Sequence, residues 1–154
     1  MDEEAAFTET ILAAPRDDAP RLVFADWLEE RDDPRGEWLR VTVRLQRLVW
    51  NIAPVEMRAR HQWVREVARL RHRLRELMTV VPEAWAIRMQ AGHIEHCNIL
   101  DGDCPREWLR LPESDRPDRR HCVGCGRFVR YCRSADEVNQ AVIERQPVVR
   151  SLVL

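Results

Sequence analysis

The sequence predicts a mainly α protein, an N-terminal helical bundle of about four helices followed by a small α+β, zinc-knuckle-like module. Three observations carry that expectation. Apolar residues recur at steps of three and four between Phe7 and Val81, the period of a helix with one buried face. Prolines at positions 15, 34, 54 and 82 cut this stretch into helix-sized pieces. Four of the five cysteines, spaced C-x17-C-x2-C-x6-C, crowd into the C-terminal third.

Asp2 suits the cap of a first helix, with Glu3 and Glu4 favourably placed against its dipole; Phe7, Ile11 and Ala14 form its stripe and Pro15 ends it. Asp17 or Asp18 caps a second helix with Pro20 in its first turn and an apolar stripe of Val23, Phe24, Trp27 and Leu28. Asp33 and Pro34 fit the N-cap and first position of a third helix, which buries Trp38, Val41, Leu45, Leu48 and Ile52. The fourth and longest helix opens at Pro54 and runs to about Val81. Its seam is Trp63, Val67, Leu70, Leu74, Leu77 and Val81, too short for a free-standing coiled coil. Short connections make these helices packing neighbours.

Pro82-Glu83-Ala84-Trp85 opens a short helix, residues 93–100 read as a strand, and Asp101-Gly102-Asp103 as a turn. Residues 127–131 read as a second strand. Ser134 caps a helix to about Glu144, with Glu137 completing a capping box and Ala135, Val138, Val142 and Ile143 on its buried side. Val148-Val149 begins an apolar strand that must find a pairing partner. The organisation expected is a helical domain over residues 1–90 and a Cys-rich module over 91–154.

Composition narrows the class. The chain has 154 residues, 45% hydrophobic and 33% charged, which fits a folded globular protein rather than a disordered one. Mean hydropathy is −0.49, and no run approaches the roughly 18 apolar residues of a membrane span. The acidic start Met1-Asp2-Glu3-Glu4 lacks the positive charge of a secretory signal, so a cytoplasmic location with no membrane partner is expected. The net charge of −1 hides an asymmetry: residues 1–37 carry 12 acidic side chains against 4 Arg, and residues 38–90 carry 11 Arg against 4 Glu. An acidic segment followed by a basic one points to the two packing together.

The fourth helix carries Arg58, Arg60, Arg65, Arg69, Arg71, Arg73 and Arg75 away from its seam. Arginines so placed can neutralise phosphates, and Arg58, Arg65, Arg69 and Arg73 are the candidate contacts for nucleic acid or a protein partner. No aromatic interrupts this face for base stacking, which favours a solvated or partner-facing surface.

Cys122-Val123-Gly124-Cys125-Gly126 is half of a structural zinc site: two thiolates from one tight turn, with a glycine to relax it. Cys104 and Cys132 complete the expected ligand set of Cys104, Cys122, Cys125 and Cys132, with His121, His96 and Cys97 as substitutes. The odd cysteine count argues against a disulfide framework. No catalytic constellation stands out. Asp26 and Arg35 lack a partner base, and a catalytic zinc needs an open position and a base nearby.

Residues 1–50 carry Ile11-Leu12-Ala13-Ala14-Pro15, then Asp18 to Glu30 (DAPRLVFADWLEE), then Asp33 to Arg40 (DPRGEWLR). This run resembles the bacterial repeat-companion domain, a helical module without enzymatic activity that looks like an adaptor. Phe24 stands where family members usually have Tyr, and no leucine-rich repeats follow. Residues 104–154 resemble a small Cys-rich module of uncharacterised bacterial proteins through Cys104 to Leu111 (CPREWLRL), Arg120 to Cys125 (RHCVGC) and Val129 to Cys132 (VRYC). That pattern usually carries a Cys before its last strand, where this chain has Pro147. The resulting expectation is a noncatalytic adaptor or accessory subunit of a larger bacterial assembly, acting through protein partners and braced by zinc. The alternative is a nucleic-acid-binding or ribonucleoprotein subunit using the Arg-rich helix 58–75.

Overall fold

A computed structural model of the chain describes residues 3–97 and 105–154. Asp2, the 101–103 turn and Cys104 lie outside the described residues. The described residues form six α-helices, one 3-10 turn and a three-stranded sheet. They fall into two compact units that divide between Pro82 and Glu83, so the short helix after Pro82 belongs to the second unit.

The first unit holds α1 (Glu3–Ala13), α2 (Ala19–Glu29), α3 (Pro34–Val49) and α4 (Met57–Leu77). Consecutive helices are packing neighbours, α2 on α3 and α3 on α4. In α1, Ile11 is fully buried, and Phe7 stacks on Phe24 of α2 with ring centroids 5.0 Å apart. Each such apolar side chain removed from water contributes roughly 1.5–3 kcal/mol.

The inner face of α2 differs from the expected stripe. Arg21, Phe24, Ala25 and Leu28 point inward, whereas Val23 is 55% exposed. Arg21 is tolerated inside because its guanidinium donates to the carbonyls of Pro15 and Asp17, which follow the end of α1. Asp18 occupies the cap position of α2 without capping it; Asp17 Oδ1 instead accepts from the Ala19 amide at 2.9 Å.

Asp33 caps α3 as expected, accepting from the Arg35 amide at 2.9 Å, with Pro34 at the first helical position. Gly36 allows α3 to approach α2 closely. Leu39, Val43 and Leu45 join Trp38 in the core, while Val41 and Leu48 are half-buried and Ile52 lies exposed beyond the helix. Helix α4 starts later than Pro54, where Glu56 accepts from the amides of Arg58 and Ala59, and it ends at Leu77, short of Val81. Its seam is the one expected: Val67, Leu70, Leu74 and Leu77 are buried, and Trp63, half-buried, donates to the Leu48 carbonyl at 3.1 Å.

The second unit begins with α5 (Glu83–Met89) and continues through a 3-10 turn (Trp108–Arg110), β1 (Arg119–Cys122), β2 (Arg127–Cys132), α6 (Ala135–Ile143) and β3 (Val148–Arg150). The sheet order is β1-β2-β3, antiparallel between β1 and β2 and parallel between β2 and β3, with α6 as the crossover that parallel strands require. In place of a strand through residues 93–97 there are two isolated bridges, His93 to Glu107 and Glu95 to Val148. Ser134 caps α6, but Glu137 reaches back to the Arg133 amide. The buried side of α6 is Val138 and Ala141; Ala135, Val142 and Ile143 face solvent.

Trp108 anchors this unit. It is fully buried, donates to the Ile87 carbonyl at 2.9 Å and lies 6.0 Å from the Tyr131 ring. Tyr131 donates to Gln90 Oε1 at 2.9 Å, and Gln90 in turn donates to the Arg150 carbonyl at 2.8 Å. This chain of hydrogen bonds satisfies polar groups that would be costly to bury alone.

Candidate functional site

Cys122 closes β1 and is fully buried; Cys125 sits half-buried in the turn that leads to β2. Gly126 adopts φ +68° with open space around its α-carbon, and its amide donates to the Cys122 carbonyl at 2.7 Å. The Arg127 amide donates to the Cys125 sulfur. Burial raises the Cys125 thiol above its ordinary value against that amide, and the nearby Cys122 and Cys97 thiols raise it further. Two neighbouring sulfurs on a tight turn, one of them accepting a backbone N–H, are the arrangement that half a thiolate metal site requires.

The remaining expected ligands are placed differently. Cys104 lies outside the described residues. Cys132 is not brought to the turn: Arg127 is the residue opposite Cys122, and Cys132 stands five positions further along β2, roughly 16 Å away at strand spacing. There it is fully buried in an apolar cluster with Val138, Ala141 and Val148, and Leu154 packs against it. Burial raises its thiol, as expected for a structural cysteine. His121 turns its ring edge towards Phe128 at 5.2 Å, and His96 takes φ +58° beside Glu95. Cys97 is the substitute ligand whose charge reaches Cys125. Among the described residues no three His, Cys, Asp or Glu side chains are gathered closely enough to hold a metal ion, and none of the described cysteines forms a disulfide.

The four arginines singled out on α4 separate into two pairs. Arg73 is tied to Glu37 at 2.6 Å and to Glu76 at 2.8 Å, and Arg69 is tied to Glu66 at 2.9 Å. Arg58 and Arg65, by contrast, are exposed and make no ion pair with the described residues. They flank a shallow groove of about 610 Å³ on the outer face of α4, lined also by Glu56, Met57, His61 and Val64. Met57 is 73% exposed, and the loop before the helix carries two further exposed apolar side chains, Ile52 and Val55, 94% and 91% exposed. Sequence periodicity identified the buried seam of α4 but not this second apolar strip, because Met57 and Val64 fall on the same face as the arginines.

Asp26 and Arg35 are both used structurally. Asp26 pairs with Arg40, and Arg35 is gripped by Asp33 and Glu4. No helix among the described residues is long and apolar enough to cross a membrane. No family model, curated protein or solved structure matches the chain.

Proposed function

We propose that this protein is a noncatalytic interaction module, an adaptor or accessory subunit, whose first unit docks a protein partner through the outer face of α4. The observation that carries this reading is the exposed pair Met57 and Val64 in one groove with Arg58 and Arg65, with Ile52 and Val55 also exposed just before the helix. Large apolar side chains left in water together, rimmed by charge, mark protein contact surfaces more often than catalytic ones. The likeness of residues 1–50 to the repeat-companion domain supports the same role.

The second unit serves in this reading as a scaffold braced by zinc. Cys122 and Cys125 supply two thiolates from the turn, and Cys97, near Cys125, and Cys104 are the candidates for the rest of the ligand set. Zinc bound in this way adds folding free energy and performs no chemistry of its own.

The test is a tagged pull-down from host lysate, with and without nuclease, comparing wild type with Met57→Glu/Val64→Glu. A defined protein that survives nuclease and is lost from the double variant supports the adaptor reading. Capture that depends on nucleic acid, weakens steeply with salt and falls in Arg58→Gln/Arg65→Gln would replace it with the ribonucleoprotein reading.

A further inference from the structure

A second cavity, of about 440 Å³, lies in the second unit between α5 and residues 113–120. Four arginines line it, Arg88, Arg116, Arg119 and Arg120, against the carboxylates of Glu113 and Asp115, while Ala84, Trp85 and Pro117 supply apolar wall. Arg120 is 3% exposed, an unusual place for a guanidinium. It alternates inward with Cys122 along β1, so the strand itself directs it there.

The donors of Arg120 are only partly used. Its Nη1 donates to the carbonyls of Trp108 at 3.0 Å and Leu111 at 3.1 Å, and its carbon lies 4.8 Å from the Trp108 ring centroid. Among the described residues its Nη2 meets Glu113 alone, at 3.7 Å, beyond hydrogen-bond distance. Glu113 is half-exposed and bonds Arg88 instead, at 2.7 Å. Arg116 is held by Asp118, and Arg119 is exposed with no ion pair to the described residues. Burial, reinforced by Arg88 and opposed by Glu113, pulls the Arg120 guanidinium down to about 10. The fold thus buries a cation whose one carboxylate partner among the described residues, Glu113, stands beyond hydrogen-bond distance and is shared with Arg88, whereas buried charges are normally closely matched.

We propose that this cavity binds a phosphate monoester, with Arg119 and the free Nη2 of Arg120 as its oxyanion contacts and Trp85 beside its organic group. A single external carboxylate would have to displace Glu113, which is held in place by the chain itself. A phosphate carries nearly two charges and three acceptor oxygens, enough to engage both guanidiniums while Glu113 stays with Arg88. This inference is independent of the docking role given to α4.

The full chain, labelled with 15N, would be titrated with phenyl phosphate while the arginine Nε–H and tryptophan indole resonances are followed. Inorganic phosphate, benzoate and sodium chloride at equal ionic strength run in parallel. Saturable shifts confined to Trp85, Arg119 and Arg120 are expected, tighter for phenyl phosphate than for inorganic phosphate and absent with chloride. Arg119→Gln should weaken binding by about tenfold, the loss of one charge-assisted contact. Glu113→Gln removes the competing carboxylate and should tighten binding several-fold, which a purely structural Arg120 would not do. Arg120 itself ties β1 to the 108–111 turn, so both variants leave it in place. Shifts that never saturate, equal binding of benzoate, or unchanged affinity in both variants would overturn the proposal.

Discussion

A side-chain carbon added to Gly36 would stand 2.7 Å from the carbonyl oxygen of Ala25, so the backbones of α2 and α3 touch at this point. The same carbon would also meet Glu29 Cγ at 2.7 Å. The glutamate can move; the carbonyl of a buried helix cannot. Gly36→Ala should therefore force the helices apart and cost about 1–3 kcal/mol, as overpacking does. Thermal denaturation followed by far-UV CD reads this directly, and an unchanged melting temperature would show that α3 shifts freely.

The start of α3 should make the first unit sensitive to acid. Hydrogen bonds from the Arg35 side chain hold the Asp33 carboxyl below its ordinary value, and Arg73 does the same for Glu37. A carboxyl lowered by folding stabilises the fold above its unfolded pKa, near about 4, and the contribution is lost as pH falls through the lower folded value. The melting temperature should therefore fall on acidification below about pH 4. Arg73→Gln should flatten part of that fall, since Glu37 then has no lowered value to lose.

Asp33→Ala removes a helix cap and should cost about 1 kcal/mol. Asp18→Ala should do far less to its own helix, because Asp18 makes no capping bond and Asp17 serves instead. Urea unfolding of the two variants side by side checks the contrast.

The cysteines give a pair of opposite expectations. Cys122→Ser should lose bound zinc, measured by metal analysis of the purified protein, and loosen residues 83–152 while the helical first unit keeps its CD signal. Cys132→Ser should keep the metal but lower stability, because a hydroxyl replaces a sulfur inside the Val138, Ala141 and Val148 cluster. Loss of metal in the Cys132 variant with the fold intact would return that residue to the ligand set.

What the sequence disclosed followed local chemistry. Asp33-Pro34 and the spacing from Val67 to Leu77 specify their helices within a few residues, and the structure agrees with each. The inner face of α2 was hidden because Arg21 counts as polar in any pattern, although both its terminal nitrogens donate to carbonyls at the α1–α2 turn. Strand β1 was hidden for the same reason: Arg119-Arg120-His121 shows no apolar alternation, yet Arg120 and Cys122 both face inward. The Cys122–Cys125 turn was legible from its spacing and its glycine. The distance from Cys125 to Cys132 was not, since six residues span a strand or fold back on themselves with equal ease.

Tyr131→Phe tests the hydrogen-bonded centre of the second unit. It leaves Gln90 Oε1 with only a long contact of 3.3 Å from the Leu152 amide, and it should cost about 1 kcal/mol. Gln90→Leu should cost more, because the Tyr131 hydroxyl and the Arg150 carbonyl lose their partner together.

Strand β3 lies between β2 on one side and the Glu95 bridge on the other, so an interior row of the sheet comes from the last-made stretch of this unit. During synthesis, β1, β2 and α6 can assemble as they emerge, but the segment around Glu95 must wait some fifty residues for Val148 before its amide and carbonyl find partners. For that interval the second unit is open along one side and exposed to chaperones, proteases and other nascent chains. Its completion waits for Val148–Arg150 to become available, whereas the helices of the first unit all precede it in the chain.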